Sequence, residues 1–330
     1  MILETSVAKH PILRVENLQK VFRVKAGRGS RHVHAVNGVT FSLAKGSVLA
    51  VVGESGSGKS TLIRLIAHLI PRTSGRIWLG DEEVPLKLGR AQLVRYRRRV
   101  QMIFQDPFGA LNPYYPISYQ LERPLSNLGQ LRTRLERFRE IVRVLEEVGL
   151  SPAQDYLPKR PHELSGGQRQ RVVIARALIV SPEVVLADEP TSMLDVSIRM
   201  SILNLLDRLR QEHQLSYVFV THDLASARYL SDHIMVMYAG QAVEGGLTDA
   251  VIDQAAHPYT RLLISAVPEP SREIPIANPE VSGEPPDLSR LPQGCPFHLR
   301  CPQAMERCRQ DNPRPVSLDD EHWVACHLYG

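Results

Sequence analysis

Val48-Leu49-Ala50-Val51-Val52-Gly53-Glu54-Ser55-Gly56-Ser57-Gly58-Lys59-Ser60-Thr61-Leu62-Ile63-Arg64-Leu65-Ile66 is the stretch that decides the fold. Its first five residues are apolar and mostly β-branched, the composition of a strand buried on both faces. From Leu62 onward the apolar residues recur at helical spacing. Between the two, Gly53–Thr61 fits G-x-x-x-x-G-K-[ST], and strand, glycine loop and helix is the context that pattern requires. Glycines let the backbone wrap an anion so that successive N–H groups point at its oxygens, and the helix N-terminus adds partial positive charge. Lys59 brings a full charge to the β- and γ-phosphates of a nucleotide, and the Ser60 hydroxyl suits Mg²⁺. Gly53, Ser55, Gly56, Ser57, Gly58 and Thr61 complete the cradle. A glycine-rich turn without a nucleotide is the plainer reading, and it accounts for neither the lysine nor the flanking elements.

Three further apolar runs have the same strand character: Val184–Ala187, Tyr217–Val220 and Ile234–Tyr238. Continuous apolar strands separated by helical patterns predict an α/β fold with a largely parallel sheet covered on both sides. Leu131, Leu135, Phe138, Ile141, Val142, Leu145 and Val148 recur three and four apart and stop at Gly149, which predicts an amphipathic helix packing its apolar stripe on the core. The cluster Arg95-Tyr96-Arg97-Arg98-Arg99 reads as the solvated face of a helix rather than a nucleic-acid contact. From Pro268, the prolines at 268, 270, 275, 279, 285, 286 and 292 predict a linker.

Val184-Val185-Leu186-Ala187-Asp188-Glu189 is an apolar strand ending in two acids. Beside a phosphate loop, Asp188 suits Mg²⁺ held through water, and Glu189 is placed to polarise an attacking water. Without that loop, two acids merely ending a strand would be the default. About twenty residues earlier lies Leu164-Ser165-Gly166-Gly167-Gln168, a Ser-Gly-Gly turn opening a helix and hence a second anion site.

With these motifs in this order, residues 12–265 resemble the ATP-binding-cassette ATPases, whose signature is LSGGQ. The resemblance implies a P-loop NTPase core with a largely parallel sheet, an N-terminal antiparallel β subdomain, a helical signature subdomain and a small Cys-containing C-terminal extension. It places the nucleotide-binding domain at 1–255 and the extension at 256–330. It assigns Gln105 to a loop that contacts Mg²⁺ or water and senses a membrane partner, Asp195 to a dimer switch loop, His222 to a γ-phosphate contact and Phe22 to stacking on adenine. Met193 stands where the family usually has Ala. The family's signature turn closes over nucleotide held by another cassette, so Ser165, Gly166, Gly167 and Gln168 are expected to act in trans. ATP and Mg²⁺ are the implied ligands. A second cassette, related rather than identical by preference, is the implied partner, and ATP binding and hydrolysis would close and open the pair.

The segment after His222 narrows the resemblance. Val236-Met237-Tyr238-Ala239-Gly240 leads through an expected hairpin to His257-Pro258-Tyr259-Thr260, and Gly294-Cys295-Pro296-Phe297-His298-Leu299-Arg300-Cys301-Pro302 precedes Cys308 and Cys326. This resembles the extension of ATPases from the oligopeptide, dipeptide and nickel importers. The resemblance implies two permease subunits and an extracytoplasmic solute-binding protein as partners, and a peripheral place on the cytoplasmic face of the membrane. All four cysteines lie in this tail at gaps of five, six and seventeen residues, without the CxxC pairs of common zinc sites. A reducing compartment disfavours disulfides. Cys295, Cys301, Cys308 and Cys326 can hold a 4Fe-4S cluster, as some members of the resembled family do. Zinc, with His298, His322 or His327 replacing a thiolate, and metal-free thiols are the alternatives.

Composition sets outer limits. A chain of 330 residues, 43% hydrophobic and 23% charged, is ordinary for a globular protein. The net charge of +5 selects no partner by itself, and no nucleic acid is expected. No apolar run is long enough to span a bilayer, and Met1–Thr5 lacks the look of a secretion signal. Repair-type cassettes carry long insertions before the signature and translation factors carry two cassettes; neither feature occurs here. Intact Lys59, Asp188, Glu189 and His222 argue against a non-catalytic module.

Overall fold

The computed structural model describes residues 11–26, 29–128, 133–266 and 284–330. Met1–Thr5, Leu131 and the prolines at 268, 270, 275 and 279 lie outside these. The strands are β1 (Leu13–Ala26), β2 (Gly29–Leu43), β3 (Val48–Val52), β4 (Ser74–Leu79), β5 (Glu82–Glu83), β6 (Val100–Ile103), β7 (Val184–Asp188), β8 (Ser216–Val220), β9 (His233–Tyr238), β10 (Gln241–Leu247), β11 (Val316–Ser317) and β12 (His322–Val324). They fall into two compact units, one of Met1–Ala44, Val48–Val84 and Thr221–Gly330, the other of Lys45–Ser47 and Pro85–Val220.

In the first unit, β2, β1, β4 and β5 form an antiparallel sheet in that order. Its long hairpin pairs Leu13 with Leu43 and Lys25 with Ser30, and β1 also pairs Leu13 with Leu79 of β4. Leu13, Val15, Leu18, Val36 and Ile77 point inward and are fully buried, the alternation expected of a sheet with one wet face. A second set runs β11-β12-β10-β9-β3. Here β3 and β9 are parallel, Leu49 opposite His233 and Val52 opposite Val236. The predicted hairpin joins β9 to β10, with Ala239 at φ 49° and Gly240 at φ 81°, the left-handed pair that a two-residue turn needs to match strand twist. The tail adds β12 against β10, Glu244 opposite Val324, so the cysteine-bearing extension is stitched to this sheet by backbone hydrogen bonds.

In the second unit, β6, β7 and β8 are parallel in the order β8-β7-β6. All five residues of β7 and of β8 are buried, as are all five of β3 in the first unit; this is why these strands read as unbroken apolar runs. The helix predicted around residues 131–148 spans Arg134–Glu147. Thr133 opens it by accepting the Glu136 N–H at 3.1 Å while the Glu136 carboxylate accepts the Thr133 N–H at 3.0 Å. Gly149 follows it at φ 79°. The apolar stripe is only half used: Ile141, Val144 and Leu145 are buried, but Leu135 is 57% and Phe138 48% exposed, contrary to the expected core-packing stripe. Periodicity locates the face of a helix and is silent on where along that face the core ends. The basic run lies on the helix Arg90–Arg99, where Tyr96 turns inward and Arg95, Arg97 and Arg98 face solvent. Among the described residues no helix is long and apolar enough to cross a membrane.

Candidate functional site

The phosphate loop lies between β3 and the helix Lys59–Ile66. Gly58 precedes the helix at φ 102°, and a Cβ there would meet the Ala35 carbonyl at 2.2 Å, so only glycine fits. Ser57 and Lys59 are buried, whereas Ser55 and Gly56 are exposed at the tip. The Lys59 ammonium donates to the carbonyls of Gly53 (2.6 Å) and Glu54 (2.8 Å). These bonds hold the charge inside the turn rather than out in water. Ser60 and Thr61, half-buried, occupy the first turn of the helix, where N–H groups have no intrahelical acceptor. The Gly240 N–H at the β9–β10 turn donates to Ser57 O (3.0 Å), which braces the loop from outside. His222 follows Thr221, whose N–H donates to Val51 O, and its ring is exposed. Asp223 caps the next helix by accepting the Ala225 N–H at 3.0 Å. Phe22, half-buried on β1, has the Lys20 ammonium 4.7 Å from its ring centre.

One support of this loop was not foreseen. The Tyr259 hydroxyl accepts the Glu54 N–H at 2.7 Å. Arg300, from the tail, grips the Glu54 carboxylate with two bonds of 2.9 and 3.0 Å. Sequence offered no signal for either contact, since Arg300 and Glu54 are 246 positions apart.

In the second unit, the carboxyl pair ends β7. Asp188 is buried, and Glu189 follows with φ 44° and its N–H fixed to Val220 O at 2.9 Å. Gln105, 84 positions earlier, donates from Nε2 to the Glu189 carboxylate at 2.9 Å, so the structure brings these two expected site residues together. The signature turn is also formed. Ser165 caps the helix Gly166–Leu178 by accepting the Gln168 N–H, and the Gln168 side chain accepts the Ser165 N–H at 3.0 Å. Gly167 is required by contact: a Cβ would sit 2.9 Å from Ile198 Cγ2. Asp195 begins the helix Val196–His213 and is exposed, beside Met193, which is 56% exposed. A bulky residue at 193 therefore disturbs no packing within this unit.

The four cysteines are free and line one cavity with His257, Phe297 and His327. Burial pushes the Cys295 thiol up to about 11 and raises Cys301 and Cys326 as well. Each sulfur nonetheless has a backbone N–H aimed at it: from Phe297 to Cys295, Gln303 to Cys301, Met305 to Cys308 and Leu328 to Cys326. Such N–H groups favour a thiolate, and a bound cation would have to supply what burial withholds. Among the described residues the only histidine, cysteine or carboxylate group with three ligand atoms mutually within 4.8 Å is Glu147, Glu212 and His213. No three of the thiols therefore approach that closely. A tetrahedral zinc with bonds of about 2.3 Å would need sulfurs about 3.8 Å apart. His322 is not at hand for the thiols, because its Nε2 pairs with buried Glu244 at 2.7 Å.

Comparison with known proteins agrees with this geometry. The ABC transporter family matches residues 36–192, and the family described as oligopeptide/dipeptide transporter, C-terminal region, matches residues 243–308. The chain is 42% identical to the di/tripeptide transport ATP-binding protein DppF of Pseudomonas aeruginosa, over 96% of this chain and 97% of that one. It is 39% identical to the oligopeptide transport ATP-binding protein AppF of Bacillus subtilis, over 98% and 99%. Among solved structures, the ATP-binding cassette MJ0796 in a dimeric post-hydrolysis state with ADP and phosphate aligns with TM-score 0.63 and 29% identity, over 72% of this chain and 98% of that one. ATP and Mg²⁺ are the ligands this fold carries. With a phosphate loop, a formed signature turn and relatives matched from end to end, the chain belongs to the ATP-binding subunits of the ABC transporter family, in its oligopeptide/dipeptide branch.

Proposed function

We propose that the chain is the ATP-hydrolysing subunit of a membrane importer for di- and oligopeptides. The end-to-end likeness to peptide-transport ATP-binding proteins, together with an intact phosphate loop, carries this reading. In it, Lys59 and the backbone of Gly53, Ser55, Gly56, Ser57, Gly58 and Thr61 hold the phosphates, and Phe22 stacks on adenine. Ser60, Gln105 and Asp188 offer the hard oxygen donors that Mg²⁺ prefers. Glu189 orients the attacking water and His222 reads the γ-phosphate. Ser165, Gly166, Gly167 and Gln168 close over nucleotide bound to a second cassette, with Asp195 at the switch between the two. That cassette is a related subunit by preference. Two permease subunits hold the pair at the cytoplasmic face, and a solute-binding protein delivers the peptide. The chain divides by role into a nucleotide-binding domain at 1–255 and an extension at 256–330. ATP-driven uptake of a labelled dipeptide into vesicles holding the assembled complex tests the reading. Uptake of nickel but no peptide would overturn the substrate, and ATP turnover without any uptake would overturn the transport role.

The extension's thiols fit a 4Fe-4S cluster better than zinc. They line one cavity with His257, Phe297 and His327, and each sulfur receives an N–H. Cys295, Cys301, Cys308 and Cys326 would hold the cluster, which when bound supplies four covalent ties across a tail with little core of its own. Protein purified without oxygen should be brown and carry about four irons per chain. Stoichiometric zinc without iron would reject the cluster.

A further inference from the structure

Glu54 sits inside the phosphate loop, yet its polar groups are tied to elements far along the chain. Its N–H goes to the Tyr259 hydroxyl and its carboxylate to Arg300, while its carbonyl accepts Ser57 N–H at 3.2 Å and the Lys59 ammonium at 2.8 Å. Arg300 is held as firmly. Its side chain is 9% exposed, its guanidinium lies 5.8 Å from the ring centres of both Tyr238 and Phe297, and it approaches the Tyr238 hydroxyl at 3.3 Å. Tyr238, Tyr259 and Phe297 pack on one another with ring centres 4.5 to 5.5 Å apart. A bidentate guanidinium–carboxylate pair fixes both distance and plane, and a half-screened site retains more of its strength than an open surface does. Arg300 stands in the turn between Cys295 and Cys301, whose bends are closed by bonds from His298 N to Cys295 O and from Arg300 N to Phe297 O.

We infer that Arg300 and Tyr259 are positioning residues for nucleotide binding: through Glu54 they hold the phosphate loop in shape, so the order of the cysteine-bearing turn sets the affinity for ATP. The loop gives its N–H groups to phosphate at no reorganisation cost only if its carbonyls and side chains are already fixed. Losing the clamp leaves Lys59 and the glycines in place but lets the loop sample shapes that do not bind. The apparent affinity then falls by the fraction of competent loops. This rests on the reading of the chain as an ATP-binding subunit.

The test is equilibrium binding of Mg²⁺·ATP to the full chain, with thermal melting alongside. Arg300→Met is expected to raise Kd for ATP about tenfold, and Tyr259→Phe, which removes one oxygen, about threefold. In the assembled complex KM for ATP rises while kcat holds, a split that general loosening would not give. Glu54→Gln weakens binding too, and the double variant Arg300→Met/Glu54→Gln is no worse than Arg300→Met alone, because both act through one contact. Wild-type affinity in Arg300→Met, or effects that simply add, would overturn the inference. If Arg300→Met melts early, Tyr259→Phe decides. Failure of the unmutated chain to bind ATP would instead overturn the reading beneath it.

Discussion

Glu189→Gln should cut ATP turnover at the site it serves by about a hundredfold or more while leaving ATP bound, in line with the loss of a positioned general base. The geometry explains why this residue is so exacting. Its backbone is pinned at φ 44° by the bond to Val220 O, so the carboxylate leaves β7 in one direction. Gln105 Nε2 donates to it at 2.9 Å, which orients its oxygens. Glutamine keeps the size and one acceptor oxygen, so the fold and the Gln105 contact survive. An amide cannot take a proton from water, so bond cleavage stops after closure. The complex should then accumulate in an ATP-bound, closed state, visible as labelled ATP that stays with protein through gel filtration. Gln105→Ala should give a milder loss, since it frees the carboxylate without removing it. Near-normal turnover in Glu189→Gln would move the base elsewhere.

Much of the cassette was legible in the sequence because its chemistry is local. The phosphate loop and the two acids each lie at a strand–loop–helix junction and the signature turn lies at the start of a helix, where residue type dictates backbone shape. The four buried strands were legible for a related reason: being covered on both faces, they leave no polar residue to interrupt the run. What stayed hidden depends on distance along the chain. Arg300 reads as one more basic residue in a proline-rich tail until folding sets it against Glu54. Leu135 and Phe138 read as core because helical periodicity registers a face and not its depth. The cysteines announced themselves by clustering, but spacing alone left iron–sulfur, zinc and free thiols open; the shared cavity and the N–H groups aimed at each sulfur are properties of the folded tail.

Ser165→Arg should leave ATP affinity of the isolated chain unchanged and, where both cassettes of the pair carry it, reduce turnover by about a hundredfold, the scale of losing charge-stabilising donors. Ser165 is exposed at the start of the helix Gly166–Leu178, and its hydroxyl accepts the Gln168 N–H. Replacing a cap costs the helix about 1 kcal/mol, too little to unfold a domain whose helix buries Val172, Val173, Ile174 and Ala175. The damage appears only when a phosphate from another subunit must approach that turn and meets a long side chain. Lys59→Ala should behave in the opposite way, losing ATP in the isolated chain as well. The two defects can then be combined. In a head-to-tail pair built from one Lys59→Ala and one Ser165→Arg copy, one site carries both lesions and the other carries none, so turnover returns. Recovery on mixing would show that this chain pairs with itself; no recovery, with activity restored instead by adding a different cassette subunit, would show that its partner is a related chain. Loss of ATP binding in isolated Ser165→Arg would place the signature turn in its own subunit's site and end the argument for closure in trans.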